Sequence, residues 1–389
     1  MSERAAAREG VFRIGPGEIV AMAAALMAAC CVPGFPGDLE APTDRGDRGG
    51  EGVAGEPDPS TPQARAVDAA VRGLAPRGGP GFALAIVEDG EVVFKRGYGL
   101  ADVSSGAAIT PRTPFRLASV SKPLTATGVL VLVERGDLAL SDPVSRHLAA
   151  FPYGDRITVE HLLQHTSGLP HYEDLPERFE RDRPTNADML DFLAQSRPRV
   201  HFGPGERFDY NNLAYDLLAL VIEAASGQPF ARFMREAVFG PLGMRDTRVI
   251  VAGERIPGRA IGYRLGRRGV EVDDDDPLNN LVGAGGIAST LDDLLLFERE
   301  LRRPSLLTPQ TWAQAMRPGR LKGGGRTEYG YGLEIVEEDG VVTVQHDGSW
   351  VGFNHDFQAV LEDGDATILL TNADFDLDDI LEAALDAEP

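Results

Sequence analysis

Residues 81–99 read GFALAIVEDGEVVFKRGYG, and this stretch predicts two β-strands joined by a tight turn. Apolar residues flank Asp89 and Gly90, a pair that favours the two-residue turns of β-hairpins because both positions tolerate positive φ. The same pattern returns near the other end of the chain. Residues 329–348 (YGYGLEIVEEDGVVTVQHDG) and 357–372 (FQAVLEDGDATILLTN) each alternate around a further Asp-Gly pair. Both ends of the chain therefore predict antiparallel strands.

The middle of the chain has helical periodicity instead. Residues 124–136 and 213–227 place apolar side chains at helical spacing, and each segment ends on a glycine, which favours helix termination. Residues 61–74 and 374–387 predict a first and a last helix. We therefore expect an α+β fold in which both chain ends build one antiparallel sheet flanked by helices. A helical subdomain of about residues 119–303 is inserted between the two halves.

The composition is that of a folded protein with a strong negative charge. The chain has 389 residues, of which 43% are hydrophobic and 25% charged, and its net charge is −22. This charge opposes phosphate groups, so we expect no nucleic-acid partner. The two cysteines, Cys30 and Cys31, are adjacent and near the N-terminus, so the body of the chain has no disulfide framework and no thiolate nucleophile.

The first 62 residues differ from the rest. Residues 18–31 (EIVAMAAALMAACC) form an apolar run that is too short to cross a bilayer and has the length of a signal h-region. The small residues before Cys30 resemble the lipobox of bacterial lipoproteins. We therefore predict a lipoprotein signal segment over residues 1–31, an exported or cell-surface protein and a membrane tether through lipidated Cys30. The acidic residues near the start argue against export, because signals usually begin with net positive charge. The alternative is an unprocessed tail on a cytoplasmic protein.

Residues 32–62 are rich in Pro, Gly and Asp and have almost no large apolar residues. Such a segment cannot bury a core, so it predicts a flexible linker. The folded domain is predicted to span residues 63–389.

One short motif in the middle of the chain has the chemistry of a nucleophile. Residues 115–128 read FRLASVSKPLTATG, in which Ser119 and Lys122 lie three positions apart and so on one helix face. A serine hydroxyl is too weak an acid to attack unassisted, and an amine within reach can activate it. A helix N-terminus would add free N–H groups and a positive dipole end. Ser121 lies on another face and is the poorer candidate. Alone, an S-x-x-K pattern is expected about once by chance in a chain of this size.

Two later stretches complete an ordered set. Tyr210 and Asn212 form a Y-x-N pattern just before a predicted helix, and His346 and Gly348 form an H-x-G pattern at the end of a strand. Taken singly, each has an ordinary structural explanation, such as a helix N-cap for the asparagine. In this order, however, the motifs resemble those of the class C β-lactamase group of serine hydrolases. That group includes D-alanyl-D-alanine carboxypeptidases, D-aminopeptidases and β-lactamase-related esterases.

The resemblance covers about residues 65–375. Three connecting segments also look like those of the family: residues 157–170 (ITVEHLLQHTSGLP), 239–247 (FGPLGMRDT) and 283–297 (GAGGIASTLDDLLLF). The resemblance implies a β-lactamase/penicillin-binding-protein-like fold and a serine hydrolase that acts through an acyl-enzyme, with no cofactor and no metal. The class A set, with S-D-N and K-T-G, differs from this chain at both later motifs.

The resemblance also implies catalytic roles. Ser119 would be the acylated nucleophile, and Tyr210 the general base that passes the proton to the leaving group. Lys122 would keep its charge between these two side chains and so lower the pKa of the phenol.

The remaining matched positions would bind the substrate. Asn212 would contact Lys122 and the acyl side of the substrate. The backbone N–H groups of Ser119 and Ser349 would form the oxyanion hole, and Gly348 would let the acyl group approach the strand.

Asp347 bears on the choice among small-molecule ester, amide or peptide substrates. In penicillin-binding relatives, groups near the third motif receive the substrate carboxylate, which Asp347 would repel unless a protonated His346 neutralised it. We therefore expect an esterase acting on small carboxylic esters or amides. One alternative is a D-alanyl-D-alanine carboxypeptidase, penicillin-binding protein or class C-type β-lactamase. Another is a β-lactam sensor or scaffold without turnover.

Three other features have ordinary structural interpretations. His161 and His165 could offer two metal ligands on one helix face, but no third ligand is close in sequence, so we expect core or capping histidines. Gly285 and Gly286 predict a tight backbone passage near the site. The aspartate run 273–276 predicts a solvated loop.

Overall fold

The protein is described here from a computed structural model, which covers residues 60–175, 183–267, 269–338 and 340–389. The predicted signal segment, Cys30 and nearly all of the predicted linker lie outside the described residues. Helix α1 begins at Pro62, where the Thr61 hydroxyl accepts the Ala64 N–H at 3.1 Å. Within the described ranges, no helix has both the length and the apolar character needed to span a membrane.

The helices of the described residues are α1 Pro62–Val71, α2 Ser121–Arg135, α3 Val144–His147, α4 Val159–Leu163, α5 Asn186–Ser196, α6 Asn212–Ser226, α7 Phe230–Met234, α8 Gly240–Leu242, α9 Leu291–Arg302, α10 Pro309–Ala315 and α11 Leu377–Leu385. The strands are β1 Phe82–Glu88, β2 Glu91–Tyr98, β3 Leu100–Asp102, β4 Ala107–Ala108, β5 Phe115–Arg116, β6 Arg248–Val249, β7 Tyr263–Gly266, β8 Gly269–Val272, β9 Ile287–Ser289, β10 Glu334–Glu338, β11 Val341–Trp350, β12 Phe353–Val360 and β13 Asp365–Thr371.

One antiparallel sheet joins the two ends of the chain, as predicted. Its strand order is β10-β11-β12-β13-β1-β2. The two halves meet where β1 pairs with β13, with Ala85 opposite Ile368. The first hairpin turns at Asp89 and Gly90, whose φ angles are 51° and 80°. Positive φ at both positions matches the right-handed twist of the flanking strands, which confirms the predicted turn.

Both faces of this sheet are covered. Along β1, Phe82 and Leu84 pack into a core with α1 and α11, whereas Ala83 and Ala85 face the larger core under the inserted helices. Successive side chains of a strand point to opposite faces, so a strand buried on both sides is apolar throughout. This explains the near-continuous apolar run FALAIV of β1.

The inserted region is less uniformly helical than predicted. It contains the β7–β8 hairpin and the strands β6 and β9, which form a small sheet of order β5-β9-β6 with β5 from just before the insert. In that sheet Phe115 pairs with Ser289 and Arg116 with Ala288, so two distant segments are joined immediately before Ser119. Strands of two or three residues are too short to show a hydrophobic period, which is why the sequence pattern did not reveal them.

The aspartate run 273–276 is not simply a solvated loop. Asp273 and Asp274 accept hydrogen bonds from Arg264 and Arg259 at 2.8 and 2.9 Å. The other two residues are also engaged: Asp275 pairs with Arg183, and the buried Asp276 caps a short 3₁₀ turn. The run is therefore held by arginines of three other positions and by its own 3₁₀ turn.

Candidate active site

Ser119 lies in a 3₁₀ turn, Ala118–Val120, that leads directly into α2. Ala118 has a φ of 49°, a left-handed conformation that costs a non-glycine residue roughly 1–3 kcal/mol and is frequent at functional sites. The preceding residue is fixed, because the Leu117 N–H donates to the Ile287 carbonyl at 2.9 Å. The Ser119 side chain is half-buried, so its hydroxyl is held at the start of a helix and remains accessible.

Lys122 is fully buried in the first turn of α2. Its ammonium donates to Ser119 Oγ at 3.0 Å, to Asn212 Oδ1 at 2.9 Å and to the Ala284 carbonyl at 3.0 Å. These three acceptors use all the N–H bonds of a lysine ammonium. Burial lowers the Lys122 pKa to about 7, against opposing effects of the Asp216 and Asp347 charges. Near neutral pH the amine is therefore protonated in only part of the population.

Tyr210 lies against both members of this pair. Its side chain is hydrogen-bonded to Ser119, and Lys122 Nζ is 4.6 Å from its ring centroid. Burial raises the Tyr210 pKa well above its usual value, and the charges of Asp347 and Glu334 raise it further. The pKa of the Tyr210 hydroxyl is therefore raised where a lowering was expected, and loss of hydration on burial is the largest cause.

His346 is fully buried on β11, and both of its ring nitrogens have protein partners. Nδ1 is 2.6 Å from the Asp347 carbonyl oxygen, and Nε2 is 2.9 Å from the Tyr329 hydroxyl. Since a carbonyl only accepts, Nδ1 carries the proton and Nε2 accepts from Tyr329. Burial lowers the His346 pKa to about 4, so this ring is neutral at pH 7. It therefore does not neutralise Asp347, and both of its ring nitrogens are engaged by protein groups.

The residues after His346 bring β11 against the nucleophile turn. A Cβ added at Gly348 would lie 2.6 Å from the Leu117 carbonyl oxygen and 3.2 Å from the Val120 nitrogen. The glycine thus permits close approach of the strand to the turn that carries Ser119. Asp347 and Ser349 are exposed on the same strand, and the Asp347 side chain is 72% exposed.

The sequence motifs did not reveal the backbone and side-chain groups that hold Lys122 in position. The Ala284 carbonyl accepts its N–H bond, and the Ala284 N–H donates to Asp216 Oδ1 at 3.3 Å. Asp216 is fully buried, accepts a short hydrogen bond from the Tyr172 hydroxyl, and has a pKa raised to about 7 by burial. A backbone acceptor such as the Ala284 carbonyl has no sequence signature. Of these groups, only Asp216, an acidic residue inside an apolar helix, could have been recognised in the sequence.

The glycine-rich segment before β9 passes tightly between helices. Gly283 and Gly286 have φ angles of 115° and 76°, and a Cβ at Gly283 would lie 2.3 Å from the Tyr215 carbonyl oxygen. The predicted passage is confirmed for Gly286. At Gly285 the nearest atom would be 3.7 Å away, an ordinary contact.

The histidines of EHLLQH are structural, as expected. The His161 side chain completes the capping box of α4 with Thr158. His165 is fully buried, and its ring centroid is 4.4 Å from that of Tyr210 and 4.7 Å from that of Tyr329. His165 therefore supports the ring of Tyr210 by packing against it.

Comparison with known proteins identifies the family of this chain. The family model described as Beta-lactamase matches residues 67–388. The chain belongs to the Beta-lactamase family. Penicillin-binding protein 4* of Bacillus subtilis is 33% identical over 305 residues, which cover 74% of this chain and 67% of that protein. Esterase EstB of Burkholderia gladioli is 33% identical over 342 residues, which cover 76% of this chain and 86% of the esterase.

Solved structures share the architecture. D-amino acid amidase from Ochrobactrum anthropi SV3, complexed with D-phenylalanine, has a TM-score of 0.70 and 26% identity, with 84% of this chain and 100% of that chain covered. The fold of this Beta-lactamase family member is thus β-lactamase/penicillin-binding-protein-like, and the chain is a serine hydrolase of this family. The relatives carry names that refer to penicillin binding, to esters and to amides, so membership alone leaves the substrate open.

Proposed function

We propose that this protein hydrolyses small carboxylic esters or amides that lack a carboxylate near the acyl group, through an acyl-enzyme on Ser119. The observation that carries the proposal is the 3.0 Å contact between Lys122 Nζ and Ser119 Oγ. A lysine whose pKa is about 7 supplies a neutral amine at physiological pH, in direct contact with the hydroxyl that must lose its proton.

The acylation step follows from these contacts. Neutral Lys122 takes the proton of Ser119 as Oγ forms a bond to the carbonyl carbon of the substrate. The carbonyl electron pair moves to its oxygen, and the backbone N–H groups of Ser119 and Ser349 donate hydrogen bonds to it in this proposal. When the intermediate collapses, the bond to the leaving group breaks. Tyr210 gives its proton to that group and regains one from the Lys122 ammonium. In deacylation, water bonds to the acyl carbon as Tyr210 takes a proton from the water and passes its own proton to neutral Lys122. The bond from Ser119 Oγ to the acyl carbon then breaks, Oγ takes the proton of the Lys122 ammonium, and the free acid leaves.

Tyr210 is proposed as a proton donor rather than a phenolate base. Its raised pKa keeps the hydroxyl protonated in the resting enzyme. Tyr210 can therefore donate a proton without first having to accept one. Asn212 is a positioning residue, because its Oδ1 fixes Lys122 at 2.9 Å. His346 holds Tyr329 in place beside the Tyr210 ring.

The substrate preference rests on the charges around the site. The carboxylates Asp347 and Glu334 both act on the Tyr210 hydroxyl, and the neutral His346 does not offset them. A negative field at the reacting groups opposes a substrate carboxylate and leaves a neutral ester unaffected. This supports an esterase or amidase over a D-alanyl-D-alanine carboxypeptidase or a β-lactamase.

The first test uses the full chain with p-nitrophenyl butyrate and, separately, nitrocefin, with intact mass recorded beside initial rates. We expect ester turnover, little nitrocefin hydrolysis, and complete loss of turnover in Ser119→Ala with an unchanged circular dichroism spectrum. A stable mass gain from the β-lactam without ester turnover would instead indicate a penicillin-binding peptidase or a sensor. Activity retained in Ser119→Ala would refute the mechanism.

We also propose that the protein is exported and tethered to a membrane through Cys30. The support is the apolar run that ends in LMAAC at this cysteine. Metabolic labelling with a fatty acid should mark the wild-type chain and not Cys30→Ser. Equal labelling of both, or labelling of neither, would refute the tether and leave the esterase proposal unaffected.

A further inference from the structure

Three potential metal ligands come together outside the Ser119–Lys122 pair. The ligand atoms of His171, His201 and Asp209 all lie within 4.8 Å of one another. His171 Nε2 is 3.1 Å from Asp209 Oδ2, and His201 Nδ1 is 3.8 Å from the same oxygen. The two imidazole ring centroids are 5.3 Å apart. Two imidazoles and a carboxylate thus converge on one point.

These distances suit a transition-metal ion. A tetrahedral Zn²⁺ has ligand bonds of about 2.0–2.2 Å, which place neighbouring ligand atoms roughly 3.2–3.6 Å apart. The contacts of Asp209 Oδ2, at 3.1 and 3.8 Å, fall on either side of that range, so small side-chain rotations would admit an ion. Imidazole nitrogen with one carboxylate favours zinc or a similar divalent ion over Mg²⁺ and Ca²⁺, which prefer oxygen ligands.

Asp174 supplies the partner that a metal-binding histidine usually has. Its Oδ2 is 2.9 Å from His201 Nε2, the nitrogen that does not face Asp209. A carboxylate in this position fixes the proton on Nε2 and leaves the Nδ1 lone pair for the metal. The same carboxylate oxygen accepts the His171 backbone N–H at 2.8 Å. One residue therefore orients both histidines.

The backbone places these side chains before any ion arrives. The His201 N–H donates to the Gly168 carbonyl at 2.7 Å, and the Asp209 N–H donates to the His165 carbonyl at 2.9 Å. The side chains of His171, His201 and Asp209 are 27–36% exposed, so an ion can reach them from solvent. Such preorganisation lowers the ordering cost of binding.

We propose that His171, His201 and Asp209 bind one divalent transition-metal ion of the zinc class, with Asp174 orienting His201. Three protein ligands leave a fourth position for water. The ion would join the segment of His171 to the residue that immediately precedes Tyr210. The ion stabilises the two segments that it joins, beside Tyr210, and takes no part in the transfer of the Ser119 proton.

The chain offers a matched control. His147 Nε2 lies 3.1 Å from Asp142 Oδ2, the same separation as in the pair formed by His171 and Asp209. Among the described residues, no second histidine joins this control pair to form a group of three possible ligands. His147→Ala thus removes an ordinary histidine–aspartate pair and leaves the proposed ligands intact.

The experiment uses the untagged full chain in which Cys30→Ser and Cys31→Ser have been introduced, so that no thiolate binds metal. After treatment with a chelator, Zn²⁺ is titrated in competition with a chromophoric chelator, and Co²⁺ is added separately to record visible absorption. We expect uptake of one equivalent and the intense absorption of tetrahedral Co²⁺. His171→Ala and His201→Ala should weaken Zn²⁺ binding at least ~100-fold, and Asp174→Asn by about 10–100-fold. His147→Ala should leave it unchanged.

Circular dichroism checks that each variant is folded. Asp174→Asn keeps side-chain size and all three ligands, so it provides a test if an alanine variant fails to fold. No uptake by the starting protein would overturn the proposal. So would equal affinity in the ligand variants, or an equal loss in His147→Ala. Because the readouts are binding and absorption, the result is independent of whether the protein hydrolyses esters.

Discussion

At the scale of single residues, the decisive feature is the buried Lys122, whose pKa is about 7. Both its protonated and its neutral form are therefore present near physiological pH. Only the neutral amine accepts the Ser119 proton, so acidification removes the active form. We expect kcat/KM for a neutral ester to fall about tenfold per pH unit below 7 and to level off above it. Initial rates with p-nitrophenyl butyrate between pH 5.5 and 8.5 test this. A flat profile would contradict the role given to Lys122.

Lys122→Arg separates charge from basicity. Arginine stays protonated, so it can neither accept the proton nor fit the three acceptors of Lys122. We expect kcat to fall by about 10²–10⁴. The matched control is Lys95→Arg, because the Lys95 side chain is only 3% exposed and pairs with Asp292 at 2.8 Å. Equal losses in the two variants would show that any change at a buried lysine has this effect.

Asp347 tests the substrate argument at the same scale. Asp347→Thr removes a charge that acts on both Lys122 and Tyr210. We expect the rate of acylation by nitrocefin to rise relative to p-nitrophenyl butyrate turnover by about tenfold, measured as the ratio of the two rates. Glu337→Gln, at an exposed position of β10, should leave the ratio unchanged. If Asp347→Thr also leaves it unchanged, the field of this carboxylate does not select the substrate.

At the scale of elements, the contact between β11 and the nucleophile turn sets the reacting geometry. Gly348→Ala would place a Cβ 2.6 Å from the Leu117 carbonyl oxygen, so the turn must move. A displacement of this order costs about 10² in kcat. The strand control is Gly266→Ala, where the nearest atom would be 3.7 Å away and φ is not positive. Steady-state kinetics and thermal unfolding of both variants provide the comparison, and full activity in Gly348→Ala would show that the contact can yield.

The same scale shows what a sequence can predict. The turn at Asp89 and Gly90 is specified by its own two residues, and the S-x-x-K spacing brings Lys122 in the first turn of α2 to Ser119 in the 3₁₀ turn before it. The contact from Lys122 to the Ala284 carbonyl joins residues 162 positions apart and involves no particular side chain of the acceptor. The pKa of Tyr210 depends on burial by the whole fold, so the sign expected from one neighbouring charge was wrong.

At the scale of the whole molecule, the sheet separates the reaction centre from a supporting layer. Ser119 and Lys122 lie on the face under the inserted helices, whereas α1 and α11 close a separate core on the other face. The apolar run of β1 predicts that both faces of this strand are buried. Which residues of β1 face which core is set only when the strand pairs with β13 in the folded sheet. Stability and catalysis should therefore respond separately to changes in the two layers.

Ile380→Ala measures that separation. Ile380 lies on α11 with 1% of its surface exposed and packs in the core shared with α1. Its truncation leaves a cavity, so we expect a loss of about 2–5 kcal/mol in the free energy of unfolding. The folded fraction should keep its kcat/KM at 25 °C. Glu382→Ala, an exposed position on the same helix, should change stability by less than about 0.5 kcal/mol. Urea denaturation gives the two stabilities. A fall in kcat/KM of the folded Ile380→Ala protein would mean that the layers are coupled through the sheet.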